Sequence, residues 1–401
     1  MSIPLPILAV SGRPADQGGT GELIGTLARQ IAAEKLPMDL RHPRQAHPVL
    51  LSLREGRFLR AASEPFRREA AYRRLGRLLQ RFGQQPNPML IFHPQSLGLR
   101  RVVAAVRNRS APTWLFLLDA SPFCRKSYNS IEGEWVPCSR CLGNDGADSE
   151  RLACQPPFRR DFSMPAQHEF RRLGREGRFR LLAQTLGHGR LVQAHFGQDV
   201  PCHVVGLEVP GLEPPGEVVE ESGYDVVFHA APVWNKGVGV LFALAPLLPE
   251  FRLLAPFAIE EVKRDVSSAH WPLRMPANIT FQPMRWNSGL REEIRRAKLI
   301  LCPSVWSAPI EGAVLKSLNH NGVTALFRGK GQFGEEIPAA AVVELDASDL
   351  ARSARAVSDV LRDASRRATL RLHAASFIED FKKRYQGIGR RLCDLIIRET
   401  R

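Results

Sequence analysis

The stretch that decides the fold is YDVVFHAAPVWNKGVGVLFALAPLL, residues 224–248. Its first part, YDVVFHA, is short and rich in β-branched and aromatic residues, as is typical of a buried strand. Its last part, GVGVLFALAPLL, has the composition and length of a buried helix, and Lys236 stands in the loop between the two. A strand, a loop and a helix in this order are the repeating unit of a parallel α/β sheet.

The same alternation extends in both directions from this stretch. Downstream, predicted strands lie at FRLLAP, NITFQPM, KLILCPS, GVTALF and AAVVEL. Upstream, they lie at PILAVSG, PMLIFHP, PTWLFLLD and CHVVGLEV, with helical segments between them. The chain is predicted to close on two long helices, about residues 347–361 and 364–398. The pattern therefore predicts an α/β protein.

A chain of 401 residues is too long for one hydrophobic core, so two domains are expected. Residues 1–207 are predicted to form a Rossmann-like N-terminal domain, and the Pro- and Glu-rich segment 208–222 a linker. Residues 223–380 are predicted to form a second Rossmann-like domain, and 381–401 a helix that packs back on the first. Because open α/β sheets bind ligands at the carboxyl ends of their strands, we expect the two domains to face a cleft.

The bulk properties of the chain favour a cytoplasmic protein with an anionic partner. No apolar run reaches the ~18 residues that span a bilayer, and the start, MSIPLPILAVSG, lacks the basic region of a signal peptide. The formal net charge is +15, which favours a membrane surface, a nucleic acid or a phosphorylated substrate as partner. An Arg-rich composition without functional meaning is the alternative.

Four of the seven cysteines lie in one segment, an insert at about residues 119–160. Cys124, Cys138, Cys141 and Cys154 have the spacing Cys-x13-Cys-x2-Cys-x12-Cys, in which the central CSRC is a two-residue knuckle. In a reducing compartment, this spacing predicts structural zinc, with an iron–sulfur cluster on the same ligands as an alternative. Four unrelated cysteines are the third interpretation. Four thiolates would leave no open position, so such a metal would not take part in chemistry.

The second half of the chain resembles the retaining glycosyltransferases of family 4, or group 1, which have the GT-B fold. The matching segments are residues 226–254, 278–327 and FGEEIP at 333–338; in the first half, ILAVSGRPADQGGTGELIGTLARQIA at 7–32 matches more weakly. The resemblance implies that a sugar moves, with retention, from a nucleotide-sugar donor to a hydroxyl of a glycan, a lipid-linked or another acceptor. The Cys insert is outside the resemblance.

The resemblance, together with the chemistry of phosphate binding, also selects residues. A transferase must neutralise the charge that grows on the departing diphosphate, for which a lysine and helix-start amides are suited. The catalytic candidates are Asp119, Lys236 and Glu311. The candidates for donor binding are Gly18, Gly19, Lys236, Ser307, Pro309, Ile310, Glu311 and Lys316. Lys316 is expected to pair with Glu311 or Glu335, or to contact a further phosphate. With no Asp-x-Asp motif at a strand end, no divalent cation is expected for the donor.

The chain departs from the family at the carboxylates of the donor site. The family has two glutamates eight positions apart, which align within Ser307–Pro309 and Leu315–Ser317, where this chain has no acidic residue. Glu311 is the nearest carboxylate. In the first half, Asp119 follows a strand and either orients the acceptor hydroxyl or caps the next turn. His93 and His229 also stand at strand ends, where a histidine is either a ligand or a hydrogen-bonded core residue.

Residues 63–83 are predicted to form a helix with Ser63 as N-cap and two opposed faces. Its basic face contains Arg73, Arg74, Arg77 and Arg81, which favours contact with an anionic membrane at the inner face. A solvated basic face is the alternative. Nucleic-acid binding is less favoured because no aromatic residues are interleaved with the arginines.

Three functions follow from these patterns. The first is a cytoplasmic or membrane-peripheral glycosyltransferase with a four-cysteine structural metal. The second is a catalytically inactive binding or scaffold protein that keeps the same fold, which the missing glutamates favour. The third is a zinc-containing nucleic-acid binder.

Overall fold

The computed structural model describes residues 6–15, 18–35, 37–43, 58–144, 146–156, 163–214, 216, 218–219, 223–263, 266, 270–272, 274–385 and 387–400. Parts of the predicted linker 208–222 and of the insert at about 119–160 lie outside these residues. The chain divides into an N-terminal and a C-terminal unit. The N-terminal unit consists of Met1–Ser127, Arg140–Glu208 and Gly387–Arg401, and the C-terminal unit of Tyr128–Ser139 and Val209–Gln386. The segment Tyr128–Ser139, part of the predicted N-terminal domain, thus belongs to the C-terminal unit.

The N-terminal unit contains a six-stranded parallel sheet. Its strands, in the spatial order β2-β1-β3-β4-β5-β6, are β1 (Ile7–Ser11), β2 (Met38–Arg41), β3 (Met89–Phe92), β4 (Thr113–Phe116), β5 (Arg180–Ala183) and β6 (Cys202–Val204). The helices are α1 (Gly18–Ala33), α2 (Phe58–Gly83), α3 (Pro94–Leu97), α4 (Leu99–Arg107), α5 (Ala147–Arg151), α6 (Met164–Arg175) and α7 (Leu186–Phe196). Every residue of β3 and β4 is buried, which is why both read as continuous apolar runs.

The C-terminal unit contains a second six-stranded parallel sheet. Its strands, in the order β12-β11-β10-β7-β8-β9, are β7 (Val226–Phe228), β8 (Leu253–Ala255), β9 (Ile279–Phe281), β10 (Leu299–Leu301), β11 (Thr324–Phe327) and β12 (Val343–Leu345). The helices are α8 (Val238–Leu244), α9 (Ile259–Val262), α10 (Leu290–Arg296), α11 (Gly312–His320), α12 (Leu350–Arg362) and α13 (Ala364–Tyr385). Short 3₁₀ turns lie at Trp234–Lys236, Ala245–Leu247, Phe333–Glu336 and Ala339–Ala341. The predicted α/β class, with parallel sheets, is confirmed.

The chain ends with three helices and not with the two that the sequence predicted. After α12 and α13, the last helix, α14 (Ile388–Thr400), begins beyond Gly387, whose φ is 73°. This left-handed backbone ends a helix and suits glycine, so the predicted continuous helix is broken there. Helix α14 packs on α1 within the N-terminal unit. A Cβ on Gly389 would lie 2.9 Å from the carbonyl carbon of Gln30, so this close packing requires glycine.

Helix α2 differs from the prediction at its start. It begins at Phe58, so Ser63 lies inside the helix and its prediction as the N-cap is wrong. The predicted separation of an apolar face from a basic face is confirmed in the second half of the helix. Leu79 and Phe82 are buried, whereas the four arginines of the basic face, at positions 73, 74, 77 and 81, are exposed. None of the described helices is both long enough and apolar enough to cross a membrane.

Candidate functional site

The loop after β7 places Lys236 beside the segment that follows β10, the neighbouring strand. Gly237 has a φ of 83°, and a Cβ on it would lie 2.0 Å from the carbonyl oxygen of Pro303. Only glycine allows both this backbone conformation and this approach. A hydrogen bond of 3.0 Å from the Val305 amide to the Asn235 carbonyl joins the same two segments. The two loops therefore meet at the carboxyl edge of the sheet, where open α/β folds bind ligands.

Two of the candidate residues form a buried ion pair at this edge. The Lys236 ammonium donates to Glu311 Oε1 at 2.5 Å, and the same oxygen accepts from the Ser304 hydroxyl at 3.0 Å and the Trp306 indole at 3.2 Å. Glu311 is only 5% exposed. The ammonium also lies 4.7 Å from the centre of the Trp306 ring. Three donors thus fix one carboxylate, as they would fix an anion from solution.

A small pocket adjoins this pair. It has a volume of about 10 Å³, room for about one water molecule, and its lining is mainly apolar, with polar atoms from Ser304, Glu311 and Gln332. The Gln332 side-chain amide donates to the Ser304 carbonyl at 2.9 Å, and its oxygen accepts from the Gly329 backbone amide at 2.8 Å. The space is too small for a substrate, so the candidate site rests on the ion pair and not on this pocket.

Lys316 does not form either of its predicted ion pairs. It makes no ion pair with any described residue, and its ammonium lies 4.9 Å from the centre of the Trp286 ring. Glu311 pairs with Lys236 instead, and Glu335 accepts from the Gly331 amide at 2.7 Å. The predicted pairing of Lys316 with a carboxylate is therefore wrong, because the lysine chain runs along an aromatic surface. Its contact with a phosphate stays a prediction.

The residues just before α11 are not part of the helix. Helix α11 begins at Gly312 with Glu311 at the N-cap position, so Ser307, Pro309 and Ile310 lie in the preceding loop. The Ser307 backbone amide donates to Asn129 Oδ1 at 2.9 Å, and the Asn129 side-chain amide donates to the Ser307 hydroxyl at 3.1 Å. Ser307 is therefore not at the start of the helix, and its amide is bonded to Asn129; its contact with the donor stays a prediction.

His229, at the end of β7, is held as a neutral imidazole. Its Nδ1 lies 2.8 Å from the hydroxyl of Ser317 in α11, and its ring stacks on Trp286 with a centroid distance of 5.6 Å. Burial, with smaller contributions from the positive charge of Lys316 and from the neighbouring His320, lowers the pKa of His229 to about 3. Of its two sequence interpretations, these contacts match the hydrogen-bonded core residue. A ligand contact stays untested.

A second cluster lies at the carboxyl ends of the adjacent strands β3, β4 and β5 in the N-terminal unit. His93 follows β3, and its Nε2 lies 2.9 Å from Oδ2 of Asp119, which comes shortly after β4. The Ser121 amide donates to Asp119 Oδ1 at 2.9 Å. Burial raises the pKa of the Asp119 carboxyl, but His93 and the hydrogen bonds with His93 and Ser121 outweigh it and hold this pKa below its ordinary value.

His188, in α7 after β5, completes this cluster. Burial lowers the pKa of His188 from 6.5 to about 4, while the charge and backbone of the neighbouring Asp119 raise it by less. The Asp119 carboxylate therefore has two histidines near it, His93 in an ion-pair contact and His188 held neutral. The sequence named Asp119 and His93 separately and missed His188, which it placed only inside a helical segment.

The backbone of His93 is in the left-handed region, with φ 52° and ψ 66°. For a residue other than glycine, such a conformation costs about 1–3 kcal/mol and persists only where its surroundings fix it. Here the His93 carbonyl accepts from the amide and the hydroxyl of Ser96, at 3.1 and 2.9 Å. Ser96 in turn lies so close to Gly12 that a Cβ on Gly12 would overlap its hydroxyl. The turn therefore positions the imidazole toward Asp119 at a stability cost.

Gly18 and Gly19, two of the candidates for donor binding, are the first two residues of α1. Asp16 and Gln17, which precede them, lie outside the described residues. The first amides of a helix have no partner within the helix and can bind an anion. The predicted approach of this backbone to phosphate stays a prediction.

The four cysteines of the insert do not form a recognisable metal site. Cys138 belongs to the C-terminal unit and Cys124, Cys141 and Cys154 to the N-terminal one. Within the part of the chain that is described, no group of three or more His, Cys, Asp or Glu side chains is arranged to hold a metal ion. None of the seven cysteines, all of which are described, forms a disulfide. The side-chain geometry therefore gives no support to zinc or an iron–sulfur cluster.

Ring stacking and hydrogen bonds fix one part of this insert, Tyr128–Ser139, in place. The ring of Trp135 stacks on that of Trp234 with a centroid distance of 5.1 Å, and the Trp234 indole donates to the Ile131 carbonyl at 3.1 Å. The side-chain amide of Asn129 also donates to the Cys138 carbonyl at 3.0 Å. The aromatic and amide groups of Tyr128–Ser139 thus bind it within the C-terminal unit, without a metal.

Comparisons with known proteins agree on the fold. No protein-family model and no curated protein sequence matches the chain. Sucrose-phosphate synthase from Thermosynechococcus elongatus matches with a TM-score of 0.64 at 12% identity, covering 98% of each chain. HepE of Anabaena in complex with UDP matches with a TM-score of 0.56 at 12% identity, covering 98% of this chain and 99% of that one. An α,α-trehalose-6-phosphate synthase from Burkholderia multivorans has a TM-score of 0.56 at 13% identity and 98% coverage of both chains.

These neighbours are GT-B glycosyltransferases, and the chain is similar to them in fold over nearly its whole length. The predicted α/β fold of the GT-B type is thereby confirmed. Identities of 12–13% establish the fold alone. Membership of family 4 stays a prediction.

Proposed function

We propose that this protein is a glycosyltransferase that binds a nucleotide-sugar donor at Lys236 in the C-terminal unit. The observation that carries the proposal is the buried contact of the Lys236 ammonium with Glu311 at 2.5 Å, at the carboxyl edge of the sheet. The GT-B fold supports the same choice, as do the structures of the neighbour HepE in complex with UDP and with UDP-glucose. The expected reaction retains the configuration at the anomeric carbon.

In this proposal, the donor diphosphate displaces the Glu311 carboxylate from the Lys236 ammonium. When the bond between the anomeric carbon and the diphosphate breaks, negative charge grows on the departing oxygen, and a positioned cation stabilises it. The released Glu311 carboxylate is then available to accept a hydrogen bond from a sugar hydroxyl. This assigns Lys236 to the diphosphate and Glu311 to the sugar, the latter in place of the acidic residues absent from positions 307–309.

The acceptor side is assigned to Asp119 and His93. The Asp119 carboxylate, held ionised in its buried site, is suited to accept a hydrogen bond from an acceptor hydroxyl, and His93 would orient it. A glycan, a lipid-linked or another hydroxyl compound is the proposed acceptor. Gly18, Gly19 and the 307–310 loop remain proposed donor contacts. Exposure of the four arginines on α2 supports the proposed peripheral membrane placement, which sedimentation with anionic vesicles would test.

A structural metal on the four cysteines is a separate proposal. Because the side chains are not arranged as a metal site, no step of the reaction is assigned to zinc or to an iron–sulfur cluster. Metal analysis of the purified protein, compared with a Cys138→Ser/Cys141→Ser variant, tests the proposal. A stoichiometric metal that the variant loses would support it, and no metal in the wild-type protein would end it.

The second candidate function is a binding protein that kept the fold without catalysis. It is favoured by the absence of acidic residues at 307–309 and 315–317, where Ser317 instead hydrogen-bonds His229. Turnover separates the two functions. A panel of nucleotide sugars is incubated with the protein, and release of the nucleoside diphosphate is measured. Release that disappears in Lys236→Ala and persists in Lys383→Ala, an exposed lysine on α13, supports the transferase. Binding without release from any donor would support the binding protein.

A further inference from the structure

The N-terminal unit has an open pocket far richer in positive charge than the candidate site described above. Its volume is about 460 Å³, and it is lined by Arg73, Gly76, Arg77, Gln80 and Arg101, which come from α2 and α4. Three of these five residues are arginines, and none is acidic. A pocket with this lining is suited to an anion and not to an apolar ligand.

The guanidinium of Arg101 is fixed in this pocket by its contacts with α2. It donates to the Tyr72 carbonyl at 2.9 Å and stacks over the Tyr72 ring at 4.0 Å from the ring centre. A Cβ on Gly76 would lie 2.5 Å from Nη1 of Arg101, so the glycine provides the space in which the guanidinium lies. A fixed guanidinium loses less rotamer entropy when it binds a ligand than a mobile one does.

The other two arginines of the pocket, Arg73 and Arg77, differ in whether a carboxylate pairs with them. Arg73 pairs with Glu69 at 2.7 Å, one helical turn away. Arg77 is exposed and forms no ion pair with any residue that the structure describes. Gln80 adds an amide at the next turn of the same helix. The pocket therefore combines one fixed guanidinium with a second, that of Arg77, which pairs with no carboxylate among the described residues.

We propose that this pocket binds the phosphate groups of an anionic ligand. Guanidinium groups form paired, charge-assisted hydrogen bonds with phosphate oxygens, and two or three of them around one cavity favour a di-anionic group such as a diphosphate or a phosphate monoester. The site is separate in sequence and in the fold from Lys236 and does not depend on the proposed transferase activity. The phosphate belongs either to a soluble compound or to a lipid headgroup.

Inorganic pyrophosphate is the probe for the site itself. Calorimetric titration of the full chain is expected to show binding that weakens at least about tenfold in Arg77→Gln, from the loss of one charged hydrogen-bonding partner. Gly76→Ala suits an α-helix, so it should fold while displacing Arg101, and a similar loss is expected. Arg100→Gln removes an exposed neighbouring charge on α4 outside the pocket and should leave binding unchanged.

Vesicles separate the two sources of phosphate. Phosphatidylcholine vesicles containing phosphatidic acid have phosphate monoester headgroups, whereas those containing phosphatidylserine at matched surface charge do not. Preference for phosphatidic acid that pyrophosphate competes away identifies a lipid headgroup; binding of pyrophosphate without vesicle binding identifies a soluble ligand. If neither probe binds, the proposed phosphate site is wrong. It is also wrong if Arg77→Gln and Arg100→Gln weaken binding equally while Gly76→Ala does not, because diffuse surface charge would then account for the binding.

Discussion

Removing Lys236 should destabilise the C-terminal unit through the carboxylate it leaves behind. In Lys236→Met, the Glu311 carboxylate stays only 5% exposed and keeps two neutral donors, the hydroxyl of Ser304 and the indole of Trp306. Two unit charges 2.5 Å apart attract by about 7 kcal/mol at an effective dielectric constant of 20, which is an upper bound on the pair. Loss of one partner from a buried pair costs about 3–5 kcal/mol. Because the lysine side chain is 22% exposed, we expect about 3 kcal/mol.

A double-mutant cycle measures this quantity. Lys236→Met/Glu311→Gln removes both charges, so it should be more stable than Lys236→Met and give a coupling free energy of about 2 kcal/mol. Denaturant unfolding followed by tryptophan fluorescence is a suitable assay, because the Trp306 indole contacts the pair directly. Lys383→Ala, at an exposed lysine on α13, is the control for loss of a lysine. A coupling energy near zero would refute the claim that Glu311 depends on Lys236, and with it the claim that this site is built around one anion.

Three further changes have defined outcomes. Glu311→Gln leaves the lysine without its carboxylate, so UDP should bind about tenfold more tightly by calorimetry; weaker binding would contradict the displacement of Glu311 by phosphate. Gly237→Ala should abolish UDP binding, since its φ is 83° and its Cβ would overlap Pro303, and unchanged affinity would exclude this loop from the site. Burial holds the pKa of His188 at about 4 and that of His229 at about 3, against an ordinary 6.5. The folded protein therefore binds fewer protons than the unfolded chain below pH 6.5, and its unfolding free energy should fall as the pH drops from 6.5 toward 4. His188→Gln should flatten that slope, and an unchanged slope would contradict the assignment.

Local patterns were enough to predict most strands of the two sheets, but not β2 (Met38–Arg41), whose residues are half-buried or exposed. Strands such as MLIF at β3 and TWLF at β4 are buried along their whole length, and for this reason their sequences are continuous apolar runs. The helix ends were harder to predict. The predicted last helix crossed Gly387, where a φ of 73° ends one helix before the next begins, and a glycine inside an otherwise helical pattern did not reveal that break.

The sequence named candidate residues for the site, but it could not predict which of them contact one another. Lys236 and Glu311 were both candidates, yet 75 positions separate them, and no local signal shows that they pair. Asn129 was missed because it lies in the Cys-rich insert and bonds Ser307, 178 positions away. A sequence pattern records spacing along the chain, whereas these contacts depend on which strands are neighbours in the sheet. The cysteine spacing predicts a metal site, but spacing along the chain does not establish how the four thiols are arranged in space, and the structural metal stays a prediction.

The central claim is that the Lys236 ammonium receives the diphosphate of a nucleotide-sugar donor. Titration of UDP and UDP-glucose into the wild-type protein, Lys236→Ala and Lys383→Ala by calorimetry tests it most directly. We predict that wild type and Lys383→Ala bind alike, and that Lys236→Ala loses at least about tenfold in affinity, the equivalent of one charge-assisted contact. Equal binding by all three proteins would contradict the claim and place the nucleotide elsewhere.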